Sequence, residues 1–190
     1  MDQNDIEILR RERAYDGYVK IDKYHLRLHR HDGGWTGAFD REMVERGHAA
    51  AVLPYDPVRD EVVLIEQFRI GAHAAGHPPW QIEIVAGIIE PGETAEDVAR
   101  REAVEECGCQ IGELTSICDI LASPGIITET IAIYCGRVDA VAAGGVHGVA
   151  EENEDIRAFA VPALDAVTWP VTGKITNGPT IIALQWLALN

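Results

Sequence analysis

The chain holds 190 residues, 31 acidic against 16 basic, with a formal net charge of −15; that is length for one good core and a small additional element, and a field that argues against binding nucleic acid through a basic face. Cysteines 107, 109, 118 and 135 form neither a paired Cys-x-x-Cys framework nor a disulfide-dense secreted composition, so Cys107 and Cys109 read as small packing residues rather than zinc ligands. Met1-Asp-Gln-Asn-Asp5 lacks the basic and apolar regions of a signal peptide, and the apolar run 181–189 is short and interrupted by Gln185, so the expectation is a soluble, cytoplasmic protein with no membrane span.

Residues 7–46 are polar and charge-mixed, with alternating pieces, Tyr18-Val-Lys-Ile-Asp22 and Tyr24-His-Leu-Arg-Leu-His29, that suit strands facing a core on one side. His31-Asp-Gly-Gly34 is a turn signal. The expectation is a small antiparallel sheet over residues 1–46 preceding a catalytic domain over 47–190. Histidines 25, 29 and 31 alternate and are expected on an exposed strand face. The second region opens with strands at 48–54 and 61–68 around a turn at 56–60, a hairpin. Arg69 stands at the strand end, before a Gly/Ala/His-rich loop, 71–79, whose His73 and His77 read as surface residues. A strand at 80–86 leads into the stretch Gly87-Ile-Ile-Glu90-Pro-Gly-Glu93-Thr-Ala-Glu-Asp97-Val-Ala-Arg-Arg101-Glu102-Ala-Val-Glu105-Glu106-Cys-Gly108-Cys109. Strands follow at 114–121 and 130–138, a loop at 140–148, the acidic cluster Ala150-Glu-Glu-Asn-Glu-Asp155, a strand at 156–161, and helices at 163–173 and 179–189. Strands and helices in this order make an α/β fold.

The chemistry concentrates in the stretch from Gly87. From Thr94 it reads as a helix, with Thr94 as N-cap, Asp97 completing a variant capping box, and Gly108 near the end. Ala95, Val98, Ala99 and Ala103 form an apolar stripe, and Glu102 and Glu106 fall inside it, each roughly 20° from its centre. Residues four apart on a helix sit roughly 5 to 6 Å from each other, where two like charges repel by about 3 kcal/mol at an effective dielectric near 20. Without a partner, one carboxylate should hold a proton. A magnesium ion removes the conflict, because it takes carboxylate oxygen and shares its shell with substrate phosphates. Glu102 and Glu106 are therefore the first choices for metal ligands, with Glu105 and Glu90 weaker candidates. Glu93 either holds the loop or orients Arg101, and Arg101 pairs with Glu105 one turn on.

The spacing of Gly87, Glu93, Arg101-Glu102-Ala103, Glu105-Glu106 and Gly108-Cys109 resembles a complete Nudix box, with Cys109 standing where an aliphatic residue is commoner. Outside the box, from about Tyr15 to Leu189, the chain is similar to the bacterial ADP-ribose pyrophosphatase subgroup of the Nudix superfamily. A marker of that subgroup is a proline sixteen residues after the last box glycine, and Pro124 stands sixteen after Gly108. The resemblance implies a Nudix fold, a mixed β-sheet sandwiched between helices, with an N-terminal antiparallel β-sheet extension. It implies Mg2+-dependent hydrolysis of ADP-ribose, a small-molecule nucleoside diphosphate sugar, to AMP and ribose 5-phosphate, with Mn2+ as a substitute metal. By the same resemblance Glu152 is the general base, with Glu105 as a second catalytic carboxylate, and Glu154 and the Ala86 carbonyl join Glu102 and Glu106 around metal. Glu129 contacts the terminal ribose, Arg69 and Arg41 meet phosphate and adenine, Tyr18 offers an aromatic face, and Pro124 marks the substrate side. It also implies a homodimer whose N-terminal sheets are exchanged. The rival reading within hydrolases is a sugar-nucleotide pyrophosphatase preferring GDP-mannose. A rival of another class is a non-catalytic ADP-ribose sensor, which predicts loss of box carboxylates; all are present.

Overall fold

Two apolar runs flank Asp56, and that residue makes the turn between them. Its Oδ1 accepts from the amides of Val58 (2.8 Å) and Arg59 (3.2 Å), and its Oδ2 accepts from the Ala140 amide at 3.0 Å. The computed structural model, which describes residues 5–149, 151 and 153–190, thus confirms the expected hairpin: β4 (Ala49–Asp56) and β5 (Glu61–Phe68), antiparallel through Tyr55↔Val62 and Asp56↔Glu61. The chain divides into two compact units, residues 1–48 with 121–130, and residues 49–120 with 131–190.

The first unit carries a three-stranded antiparallel sheet ordered β1 (Ile6–Asp16), β2 (Lys20–Leu28), β3 (Phe39–Glu45). The two alternating pieces expected around 18–29 are one strand, β2, and Tyr18 lies in the bend before it. Strand β1 was not anticipated, because nearly all of its residues are exposed and two register shifts break its pairing with β2, so it has no apolar alternation to reveal it. The expected turn at His31–Gly34 is present: Gly33 donates to the Arg30 carbonyl at 3.0 Å, and Arg30 to that of Gly34 at 2.8 Å. Charge holds this sheet together. Asp22 on β2, only 2% exposed, accepts from the Arg11 Nε at 2.9 Å and from Arg13. Residues 121–130 join the unit through Val44, whose amide donates to the Ile126 carbonyl at 2.7 Å and whose carbonyl accepts from Thr128.

The second unit is a mixed sheet between helices. Its order is β10 (Gly145–His147), β11 (Ile156–Pro162), β5, β4, β9 (Thr130–Arg137), β8 (Leu114–Leu121), with β4 and β9 parallel. The hairpin opens like a fork after its first rungs. The region expected as one strand at 80–86 fills the opening as two: β6 (Trp80–Glu83) pairs with β5 and β7 (Val85–Ile88) with β4. One face of the sheet packs Val52, Val63, Ile65 and Val85 against Ala99, Ala103 and Cys107 of α2 (Ala95–Cys107). The other packs Leu53, Val62, Leu64 and Ile84 against Ala183 and Leu184 of α5 (Gly178–Leu189). Each side chain row therefore alternates between two cores, as a sheet covered on both faces requires.

Three expectations need correction. The 71–79 loop begins with a short helix, α1 (Ile70–Ala74), and the 140–148 segment contains strand β10. The helix expected over 163–173 is two pieces, α3 (Ala163–Ala166) and α4 (Trp169–Thr172), because Pro170 has no amide to continue the ladder. Cys107 and Cys109 are both buried, as expected of packing residues.

Candidate active site

Helix α2 starts where the sequence predicts. The Thr94 hydroxyl accepts from the Asp97 amide at 3.2 Å while the Asp97 carboxylate accepts from the Thr94 amide at 3.1 Å, a closed capping box. The helix ends at Gly108, which takes φ +70°, a left-handed conformation suited to glycine. Between these caps Val98, Ala99, Ala103 and Cys107 are buried, and Glu106 is buried with them at 4% exposure.

Glu106 has no cation within ion-pair distance among the described residues; its Oε2 accepts one hydrogen bond, from the Ala86 amide on β7 at 3.1 Å. Burial is the main cause that pushes its pKa up to about 8, with the neighbouring Glu102 and Glu154 charges adding to the shift. Glu102 is also raised, first by burial. Its carboxylate lies against the backbone of Gly87: a Cβ on that glycine would sit 1.8 Å from the Glu102 Oε1. Gly87 therefore opens space for a carboxylate rather than a backbone conformation. Glu105, on the exposed side of α2, accepts from the Arg101 Nη1 at 3.0 Å, the pairing expected one helical turn apart.

Arg101 ties the glycine loop to the helix. Its Nε and Nη2 bond the two oxygens of Glu93 at 2.9 and 3.1 Å, and its Nη1 reaches Glu102 at 2.7 Å. Glu93 also accepts from the Glu90 amide at 3.1 Å, so it fills both of the roles the sequence left open. The segment after β10 returns to the same helix, with the Gly148 amide donating to the Glu105 carbonyl at 3.3 Å. Glu154 accepts from the Val149 amide at 3.1 Å. Glu152 lies outside the described residues.

Arg69 donates from Nε and Nη2 to Oε2 of Glu83, at 3.2 and 2.8 Å, and its guanidinium is within electrostatic reach of Glu106 and Glu154. Glu83 is 5% exposed and was not foreseen. Its signal was available, a lone acid between Ile82 and Ile84 in an otherwise apolar run. In the first unit, Tyr18 is 91% exposed, and Arg41 is exposed with its guanidinium 4.4 Å from the Phe39 ring centre. Pro124 stands in an exposed turn closed by Ile126 and Ile127 donating to the Ser123 carbonyl. Glu129 is buried and pairs with Arg46 at 3.4 Å. The structure thus gathers Glu102, Glu105, Glu106 and Arg101 around Ala86 and Gly87, with Glu154 and Arg69 in electrostatic reach of Glu106.

Among the described residues no three His, Cys, Asp or Glu side chains form a ready-made metal cage. The donor set nonetheless fits a hard divalent cation. Glu106 is a carboxylate that burial keeps protonated near neutrality, beside a second acid under the same pressure, and such a pair gains most from a cation that takes oxygen ligands.

The sequence pattern of the NUDIX domain matches residues 45–187. The ADP-ribose pyrophosphatase of Escherichia coli (strain K12) is 50% identical over 188 residues, covering 99% of this chain and 90% of that one. The GDP-mannose pyrophosphatase of Enterobacter sp. (strain 638) is 34% identical over 190 residues, covering 97% and 96%. A crystal structure described as an ADP compounds hydrolase superposes with a TM-score of 0.74 at 18% identity, over 97% of this chain and 92% of that one, which speaks for the fold.

Proposed function

The chain belongs to the NUDIX family of hydrolases, and from that premise we propose that it hydrolyses the diphosphate of ADP-ribose to AMP and ribose 5-phosphate. The observation that carries the choice of substrate is the near full-length 50% identity to an ADP-ribose pyrophosphatase, against 34% to a GDP-mannose pyrophosphatase. In the site, Glu102, Glu106, Glu154 and the Ala86 carbonyl would hold Mg2+, and Mn2+ would be able to replace it. When bound, the cation polarises phosphoryl oxygen and neutralises charge that builds up during displacement.

The remaining work belongs to this chain's side chains. Arg69, braced by Glu83, holds a phosphoryl oxygen. Glu152 removes a proton from water, whose oxygen bonds one phosphorus while the bridging oxygen leaves with the other phosphate. Glu105 serves as the second carboxylate on the water side, steadied by Arg101. Arg101 itself is structural, because its guanidinium is spent on Glu93, Glu102 and Glu105.

Tyr18, Arg41, Pro124 and Glu129 serve the adenine and terminal ribose, and residues 1–46 exchange between two subunits of a homodimer to complete each other's pocket. The exposed Ile6, Ile8, Leu9 and Tyr15 of β1 support that assignment, since an apolar strand surface of this kind suits a partner. No described helix is long and apolar enough to cross a membrane, and the reaction is assigned to the cytoplasm.

The test is purified protein with magnesium and ADP-ribose, GDP-mannose or NADH, with products separated by chromatography. ADP-ribose should give AMP and ribose 5-phosphate with the highest kcat/KM. A higher value for GDP-mannose would transfer the protein to the second reading. For the dimer, Arg41→Ala and Glu106→Gln subunits are mixed: activity above that of either parent supports a pocket built from two chains, and none removes it.

A further inference from the structure

Glu154 stands on the connection between β10 and β11, and its place near α2 has to be held against repulsion. Its charge pushes against those of Glu102 and Glu106. Arg69 is within electrostatic reach, but its hydrogen bonds go to Glu83. The sheet gives little hold either: β10 is three residues long and lies at the edge, with β11 beside it. Something uncharged must tie this segment to the helix.

The tie is made by His147 and Gly148. If α2 went on, the Glu105 carbonyl would accept from the Cys109 amide, but that amide turns to Ala103 at 2.9 Å. The freed carbonyl accepts instead from the Gly148 amide at 3.3 Å. The His147 ring lies against the helix cap, where a Cβ on Gly108 would stand 3.1 Å from its Cε1. Its Nε2 donates to the Gly144 carbonyl at 2.9 Å, which fixes the ring from the residue before the strand. Gly148 is pressed from the other side. It takes φ +106°, and a Cβ there would sit 2.7 Å from the Cβ of Glu154 and 3.2 Å from its carbonyl oxygen, closer than a side chain can stand. Glu154 in turn meets Val149 twice, its amide donating to the Val149 carbonyl at 3.4 Å and its Oε2 accepting from the Val149 amide at 3.1 Å. Contacts therefore run from the end of α2 through residues 147–149 to the Glu154 carboxylate, and none of these links is an ion pair.

We infer that His147 and Gly148 are positioning residues that set the distance between the Glu154 carboxylate and the α2 acids Glu102 and Glu106, and through it the affinity for a divalent cation. The inference rests on the reading that Glu154 joins that pair around metal. It gives a role to a segment the sequence left as loop, and it makes Gly108 a seat for an imidazole as well as a helix stop.

The test titrates Mn2+ alone into the full chain, with free Mn2+ read by electron paramagnetic resonance and folding checked by melting curves in EDTA. Gly148→Ala and His147→Ala should each weaken Mn2+ binding about tenfold or more, the scale for a group that orients a metal ligand. His147→Gln, whose side-chain amide can donate to the Gly144 carbonyl, should recover most of the loss. In turnover, the Mg2+ concentration for half activation should rise by a similar factor in the two alanine variants, while KM for ADP-ribose stays within about twofold. Unchanged Mn2+ affinity in His147→Ala, or an equal loss in His147→Ala and His147→Gln, overturns the inference. Should Gly148→Ala fail to melt cooperatively, the two His147 variants decide alone. Glu154→Gln separates the inference from the reading beneath it. If it weakens Mn2+ binding and the positioning variants do not, the inference alone falls; if it leaves binding unchanged, Glu154 is no metal ligand and both fall.

Discussion

Two carboxylates, Asp22 and Glu106, are buried to nearly the same degree, 2% and 4% exposed, in the two units of the molecule, and they are treated oppositely. Asp22 is gripped by Arg13 and Arg11, which hold its carboxyl below the usual carboxylate range. Glu106 accepts from one backbone amide and has no cation within ion-pair distance among the described residues, and burial pushes its pKa up to about 8. A buried charge that is fully paired inside the protein is spent on structure. One left short of a positive partner is waiting for something outside the chain. The small sheet therefore carries the cationic partners of Asp22 within itself, while Glu106 in the large sheet's unit has no ion pair among the described residues.

That contrast can be broken most forcefully at Glu106. Glu106→Gln should cut kcat by about a thousandfold, the scale of losing a cation's share of transition-state charge, about 4 kcal/mol, while leaving the fold intact by circular dichroism. Parental turnover in this variant would make Glu106 merely a buried acid. Next in size is Gly87→Ala. The added methyl collides with the Glu102 carboxylate, so turnover should fall about a hundredfold with little change in melting temperature.

A third measurement reads the proton directly. Because Glu106 has a raised pKa in the folded chain, stability without metal is highest below the ordinary carboxylate pKa and declines as pH rises from about 4.5 to about 8. The decline should be on the order of a few kcal/mol in denaturant titrations with EDTA. Glu106→Gln should flatten it, and Mg2+ should restore stability at pH 8. Asp22 predicts the opposite sign. Its contribution is present above the unfolded aspartate pKa and is lost as pH falls through its lowered folded value. Asp22→Asn should lower the melting temperature and weaken acid sensitivity, with the smallest effect of the three variants on turnover per folded molecule.

What the sequence disclosed, and what it hid, follows from the range of each interaction. The α2 caps, Thr94, Asp97 and Gly108, act within one helical turn and were legible residue by residue. The misplaced Glu102 and Glu106 were visible because a 3.6-residue period exposes any acid on an apolar stripe. The division of 80–86 between β5 and β4 was hidden, since Ile82, Ile84 and Val85 are apolar whichever strand they join. Glu83 escaped notice because its meaning depends on Arg69, brought beside it only by the β5–β6 pairing. Strand β1 lacked a pattern because its unit buries little of it.

The strand order of the large sheet also sets a timetable for biosynthesis. Ala51 of β4 aligns with Ile133 of β9, and Ile65 of β5 with Ala158 of β11, so the early strands wait for partners made much later. Pairings so distant in sequence close slowly, and a chain emerging from the ribosome offers α2 to water before the sheet beneath it is complete. Glu102 and Glu106 therefore enter the fold as ordinary solvated acids. Their altered proton affinity arrives last, with the closing strands, so a nascent or truncated chain carries the whole box and none of its chemistry.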